Sequence, residues 1–166
     1  MSQPPDGEPG ADGARTPGAD GEVRALLESE SVGLLSTTSV HRPGYPYGSL
    51  TPFALSSRGN PLLLLSGLAA HTKNLLADPR ACLFLGDRSA AEDPLAGARV
   101  SLLGRAAHVT TVDEPDARDR YLARHPKAAS YFELRDFRLW ELTVEEARLI
   151  SGFGSMRWLP FAPASS

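Results

Sequence analysis

Residues 32–66, VGLLSTTSVHRPGYPYGSLTPFALSSRGNPLLLLS, decide the fold class. Val32–Thr38 is a strand-length run of branched and hydroxyl side chains. Residues 39–46 (SVHRPGYP) interrupt it with proline and glycine. Residues 47–55 read as a second strand, in which Pro52 lacks the amide a ladder needs and so marks an edge or a bulge. Residues 56–61 (SSRGNP) form a hairpin-like turn, and residues 62–66 a third strand, apolar on both faces and therefore buried.

The same reading extends outward. Upstream, residues 1–20 (MSQPPDGEPGADGARTPGAD) lack apolar side chains that drive folding, which predicts a disordered tail over residues 1–21. Val23, Leu26 and Leu27 then have helical spacing, up to about Glu30. Downstream, Thr72 is placed to cap a short helix with Leu75 and Leu76 on its apolar side, ended by Asp78-Pro79. Residues 81–86 read as a fourth strand, and residues 99–109 as a fifth, interrupted by Gly104. Asp113, Glu114, Pro115 and Asp116 open a helix that runs through Tyr121 and Leu122 and stops before Pro126. Residues 137–143 and 147–151 close the domain as two further strands. The domain spans 22–160, with a short tail at 161–166. About seven strands and three short helices, without βαβ alternation, predict a mainly β, antiparallel barrel or sandwich with appended helices.

Composition narrows the function classes. The chain has 166 residues, 42% of them hydrophobic, enough for one domain with one core. With 17 basic and 20 acidic residues, its net charge of −3 argues against nucleic acid as a partner. The residues before the domain lack a secretion leader, and no run approaches the roughly 18 apolar residues that cross a bilayer. Cys82 is the one cysteine. It sits in an apolar run, fits a reducing compartment, and reads as a small buried hydrophobe. A cytoplasmic protein with no membrane contact is the expectation.

The four histidines (His41, His71, His108 and His125) are too scattered for a metal motif, and no Gly-x-Ser-x-Gly elbow is present. Gly152-Phe153-Gly154 is a turn after the last strand rather than a dinucleotide loop. No catalytic side chain stands out. Residues 62–65 and 81–85, with Val100, Leu102 and Leu103, carry more apolar surface than three short helices cover, which predicts a symmetric homodimer.

The chemistry-bearing stretch is Ser66-Gly67-Leu68-Ala69-Ala70-His71-Thr72-Lys73-Asn74. A strand ends in a hydroxyl, small residues follow, and a helix opens with Thr, Lys and Asn. Free amides at the positive end of a helix, with a hydroxyl and an ammonium, make an anion site. The alternative is an ordinary capped helix with an exposed lysine.

Residues 122–131 (LARHPKAASY) with Asp136-Phe137-Arg138-Leu139-Trp140 resemble the His-Pro…Ala…Tyr…Asp-Phe…Trp signature of proteins related to pyridoxamine 5′-phosphate oxidase. The nearest branch is that of the HugZ/HutZ-type heme-utilisation proteins. Residues 48–54 (GSLTPFA), the start of the 70–74 helix, and Ile150-Ser151-Gly152-Phe153-Gly154 with Trp158 match in the same order. The resemblance spans roughly residues 22–160. It implies an FMN-binding split β-barrel that dimerises, with flavin between subunits. Ser49, Ser66, His71, Thr72, Lys73 and Asn74 would lie near the phosphate, Tyr47 and Leu50 beside the ring, and Arg99 and Ser101 would contribute from the fifth strand. The implied function is a flavin-dependent oxidoreductase with an undetermined small-molecule substrate. The alternatives are a heme-binding protein on the same fold, or a dimeric barrel without ligand. The chain lacks the Arg-x-His-x-Arg end of the true oxidases. It also has no histidine after His125 to serve as the iron ligand of heme-degrading relatives.

Overall fold

A computed structural model describes residues 17–161, apart from residues 91, 94 and 153. The elements run α1 (Pro17–Ser29), β1 (Val32–Thr38), β2 (Pro46–Leu55), β3 (Pro61–Ser66), α2 (Ala70–Ala77), β4 (Arg80–Gly86), β5 (Arg99–His108), α3 (Glu114–Arg124), α4 (Ala129–Phe132), β6 (Phe137–Ser151) and β7 (Ser155–Pro160). Four helices rather than three are thus present among the described residues, the extra one being the single turn α4. The predicted tail over residues 1–16 lies outside the described residues. Residues 17–21 belong to α1, because proline is tolerated at a helix's first position and Asp20 suits its first turn.

The strands pair in the order β3-β2-β1-β4-β5-β6-β7, and β3 also pairs with β6. All pairs are antiparallel, so six strands close into a barrel while β7 hangs on as a hairpin. The last two predicted strands are one 15-residue strand, β6. Glu145-Glu146 resembles a break in the sequence, but the register shift at Leu103/Gly104 accommodates the extra residue as a bulge. One edge of β6 serves β5 throughout. Its other edge serves β3 at Phe137–Glu141 and β7 at residues 146–151.

Two cores follow from this geometry. Inside the barrel, Leu35, Phe53, Leu63, Leu65, Leu83 and Leu102 pack with Val23, Leu26 and Leu27 of α1 and Leu75 of α2. Outside, α3 and the turn after it lay Ala117, Tyr121 and Ala128 over Ala54, Leu62, Leu64 and Leu139. Strand β3 is therefore buried on both faces, as its unbroken leucines require. Arg124 ties the helices together. Its guanidinium donates to the carbonyls of Leu27 (3.1 Å), Glu28 (2.9 Å) and Glu30 at the end of α1, and lies over the Phe53 ring. Helix-end carbonyls left without partners are thereby satisfied.

The β2–β3 turn is held by a buried carboxylate. Glu141 accepts from Ser56 Oγ (2.9 Å), Arg58 Nη2 (2.6 Å) and Asn60 Nδ2 (3.0 Å), while Asn60 Oδ1 accepts from the Val144 amide at 3.1 Å. Burial alone would raise the Glu141 pKa, but the hydrogen bonds from Arg58, Asn60 and Ser56 outweigh it and hold the carboxyl below its usual 4.5. A depressed native pKa adds stability above the unfolded chain's value, and that stability fades as pH falls through the native one. Glu141→Gln is therefore expected to cost about 2 kcal/mol at pH 7, the worth of hydrogen bonds to a charge. The gap from wild type should shrink as the pH drops below about 4.5. Urea midpoints at pH 7 and pH 3.5 check this, and a constant gap refutes it.

Candidate functional site

Strands β2 and β3 pair only where Phe53, Ala54 and Leu55 meet Leu63, Leu62 and Pro61. Toward its N-terminus β2 keeps β1 and leaves β3, and the wedge between them is the split in the barrel. The Phe53 amide bonds the Ser31 carbonyl (3.0 Å) and the Ser39 amide the Tyr45 carbonyl (2.9 Å), so odd-numbered residues of β2 turn their peptide groups to β1. The peptide groups of Gly48 and Leu50 consequently face the open edge. Pro46 and Pro52 bracket that edge and keep it short.

Helix α2 enters the wedge. Its cap position is Ala69, no side chain caps it, and the amides of residues 70–72 precede the first helical bond, from the Lys73 amide to the Ala69 carbonyl. His71 Nδ1 lies 3.2 Å from Ser49 Oγ across the wedge, and His71 Nε2 is buried with no partner among the described residues. Burial lowers the His71 pKa, which keeps the ring neutral at pH 7.

The expected cap at Thr72 is corrected. Thr72 lies inside the helix, where its hydroxyl donates back to the Ser66 carbonyl at 2.6 Å. Ser66 Oγ donates to Asp136 Oδ2 at 2.5 Å and accepts from the Leu68 amide at 3.2 Å. Asn74 is buried. Its Oδ1 accepts from the Val40 amide and its Nδ2 donates to Thr37 Oγ1, both at 2.9 Å. Ser66, Thr72 and Asn74 thus spend their side chains on the fold. Lys73 is exposed and makes no ion pair with a described residue.

The other predicted site residues fall into two groups. Tyr47 and Ser49 share the inward side of β2 with Thr51, and Leu50 points outward, all beside the wedge. Arg99 and Ser101 lie on the outer face of β5, with β1 and β4 between them and β2. The Arg99 guanidinium donates to the carbonyls of Leu95 (3.1 Å) and Gly97 (3.3 Å).

The outer face carries a feature that sequence reading missed. Register places Leu50, Leu34, Phe84, Ser101, Arg148 and Trp158 in one row across six strands. Leu50 is 78% exposed, Leu34 40%, Phe84 37% and Trp158 52%. The Arg148 guanidinium lies 5.1 Å from the centre of the Trp158 ring. Adjacent apolar pairs such as Leu34-Leu35 and Leu83-Phe84-Leu85 hide which side chain faces out, so only the register exposes the row. Cys82 sits on the same face one step along. Burial pushes its thiol pKa up, which leaves it protonated and unreactive.

No histidine joins this row. His125 Nε2 lies 2.7 Å from the Phe53 carbonyl, His108 stacks on Trp140 with ring centres 4.0 Å apart, and His41 sits in the β1–β2 turn. Among the described residues no cluster of His, Cys, Asp or Glu is arranged for a metal ion. No described helix is long and apolar enough to cross a membrane.

Comparison with known proteins gives three findings. The family described as CREG, beta-barrel matches residues 19–165. The chain is 39% identical over 133 residues to the non-canonical heme oxygenase HOZ, chloroplastic, of Arabidopsis thaliana, covering 79% of this chain and 40% of that protein. It is also 35% identical, with a TM-score of 0.81, to a heme binding protein from Mycobacterium smegmatis, covering 89% of this chain and 60% of that one. The chain therefore spans less than two thirds of either relative. A protein of the pyridoxinephosphate oxidase family from Clostridium acetobutylicum has a TM-score of 0.68 at 14% identity, over 89% of this chain and 97% of that one, which shows a shared fold.

Proposed function

Since the chain belongs to the CREG, beta-barrel family, we propose that it binds heme as a symmetric homodimer formed through the outer face of the barrel. The row from Leu50 to Trp158 carries this reading. It is apolar from Leu50 at the wedge through Leu34 to Phe84, and ends on the other side in an Arg–Trp pair. A two-fold axis crossing the row between Phe84 and Ser101 sets the Leu50 end of one copy against the Arg148–Trp158 end of its partner. That pairing reunites the two groups of residues that a single chain keeps apart. A flat macrocycle fits between Leu50 and the partner's Trp158, and its carboxylates find Arg99, Arg148 or Lys73. Two relatives above 30% identity are named for heme, which supports the same ligand.

The fit is incomplete in one respect. His71 lies in the wedge at the Leu50 end with Nδ1 on Ser49, and no histidine lies in the row itself among the described residues, so in this reading the grip comes from the ring and its carboxylates rather than from an axial imidazole. Hemin and metal-free protoporphyrin IX are expected to bind in the range of about 1 µM and within about fivefold of each other. Absorbance and fluorescence titrations read both. Failure of both to bind rejects the proposal, and hemin binding a hundredfold tighter rejects the ligand-free grip.

One observation favours FMN instead. The uncapped start of α2, the free Lys73 and the short open edge at Gly48 and Leu50 together suit a phosphate and a ring with alternating donors and acceptors. The same preparation titrated with FMN tests this. Tight FMN binding that Lys73→Ala weakens at least tenfold, without affecting riboflavin, would favour a flavoprotein oxidoreductase.

A further inference from the structure

Asp136, the residue before β6, packs against the β3–α2 loop that leads into the wedge. Its carboxylate accepts a hydrogen bond from the Ser66 hydroxyl at 2.5 Å, and its carbonyl accepts from the Gly67 amide at 2.7 Å. Ser66 in turn accepts from the Leu68 amide on Oγ, and from the Ala69 amide and the Thr72 hydroxyl on its carbonyl. Every polar group of Ser66 that faces the helix start is therefore spoken for, and a carboxylate occupies the place where an anionic ligand would seek a hydroxyl.

We infer that Asp136 is a specificity-determining residue which excludes phosphomonoesters from the wedge. This inference rests on the heme reading, in which the wedge holds the rim of a ligand without a phosphate. The physics is direct. The carboxylate adds a negative charge at the Ser66 hydroxyl, in the loop that leads into α2, and it removes the Ser66 O–H as a donor. A phosphate carries close to two negative charges at pH 7, so it meets repulsion where it needs bonds. A neutral or singly charged group suffers less. The amides at the helix start attract anions, and the Asp136 charge next to Ser66 opposes that attraction.

The test uses FMN and riboflavin as a matched pair, since they differ only in the phosphate. In the wild type the two are expected to bind within about threefold of each other. Asp136→Asn keeps an oxygen for the Ser66 hydroxyl and removes the charge, and should raise the FMN-to-riboflavin affinity ratio about tenfold. Adding Lys73→Ala to it should abolish the gain. A merely structural role for Asp136 would weaken both flavins together and leave the ratio alone. An unchanged ratio, no FMN binding to Asp136→Asn, or a wild-type ratio already above a hundred would each overturn the inference. Heme titration of the same wild-type preparation judges the heme reading separately, because the flavin ratio does not involve heme.

Discussion

Phe84→Asp is expected to give a folded monomer that takes up no heme. Phe84 sits mid-row on the outer face, paired by register with Leu34 on one side and Ser101 on the other. In a two-fold assembly each copy presents this residue near the axis, so one substitution places two carboxylates in the contact. Burying an unpaired charge costs several kcal/mol, and two like charges add repulsion. Dimer affinity should fall at least a hundredfold, which corresponds to about 3 kcal/mol. The fold should survive, because Leu83 and Leu85 on either side of Phe84 point inward and keep β4 in the barrel core. Sedimentation equilibrium reads the assembly, and hemin titration of the same sample reads the ligand. A variant that stays dimeric, or a monomer that binds heme as the wild type does, would show that this face is not the shared site.

Gly104→Ala should be more damaging than any surface change. A Cβ built on Gly104 would lie 2.0 Å from the Thr143 carbonyl oxygen and 2.9 Å from the Val144 Cα. Both are backbone atoms, so no side chain can swing aside to make room. The position is the bulge where β5 and β6 change register, and β6 is the strand that closes the barrel through β3. Relieving the clash means moving β6 as a unit. A loss of about 4 kcal/mol or more is expected, in the range reserved for strained or overpacked cores. Gly21→Ala is the control. Nothing lies within 4 Å of its added methyl, and alanine favours α1 by about 0.5–1 kcal/mol. Guanidinium unfolding of both variants decides the matter, and comparable midpoints would mean that the bulge gives way easily.

Much of the fold was legible because strands and turns are written locally. Val32–Thr38 runs to the residue, and Pro52 marks the place where β2 parts from β3. The run of leucines in β3 announced a strand covered on both faces, and α3 starts and stops at its charge and proline signals. The errors share one cause. Glu145-Glu146 looked like an end of strand because a charged pair is unfavourable in isolation, yet both residues project outward from a bulged strand whose neighbours on either side satisfy its backbone. The last strand, β7, has no strand signal of its own within the 22–160 domain, because only its pairing with β6 gives it a reason to be extended.

For the candidate site the division is sharper. The sequence by itself determined that a strand ending in Ser66 leads through small residues into a helix bearing His71 and Lys73. It also determined that apolar strands outnumber the helices available to cover them. Only the tertiary structure decided which of those polar groups are still free. Asn74 is claimed by Val40 and Thr37, some 35 residues upstream, and Ser66 by Asp136, 70 residues downstream. Propensity is a sum over neighbours in the chain, and it can be read along the line. Whether a hydroxyl or a carboxylate faces a ligand or another part of the protein depends on contacts that close only when the barrel does. The same closure sorts Leu34 from Leu35 and Phe84 from Leu83, turning one of each pair to the core and the other to the surface.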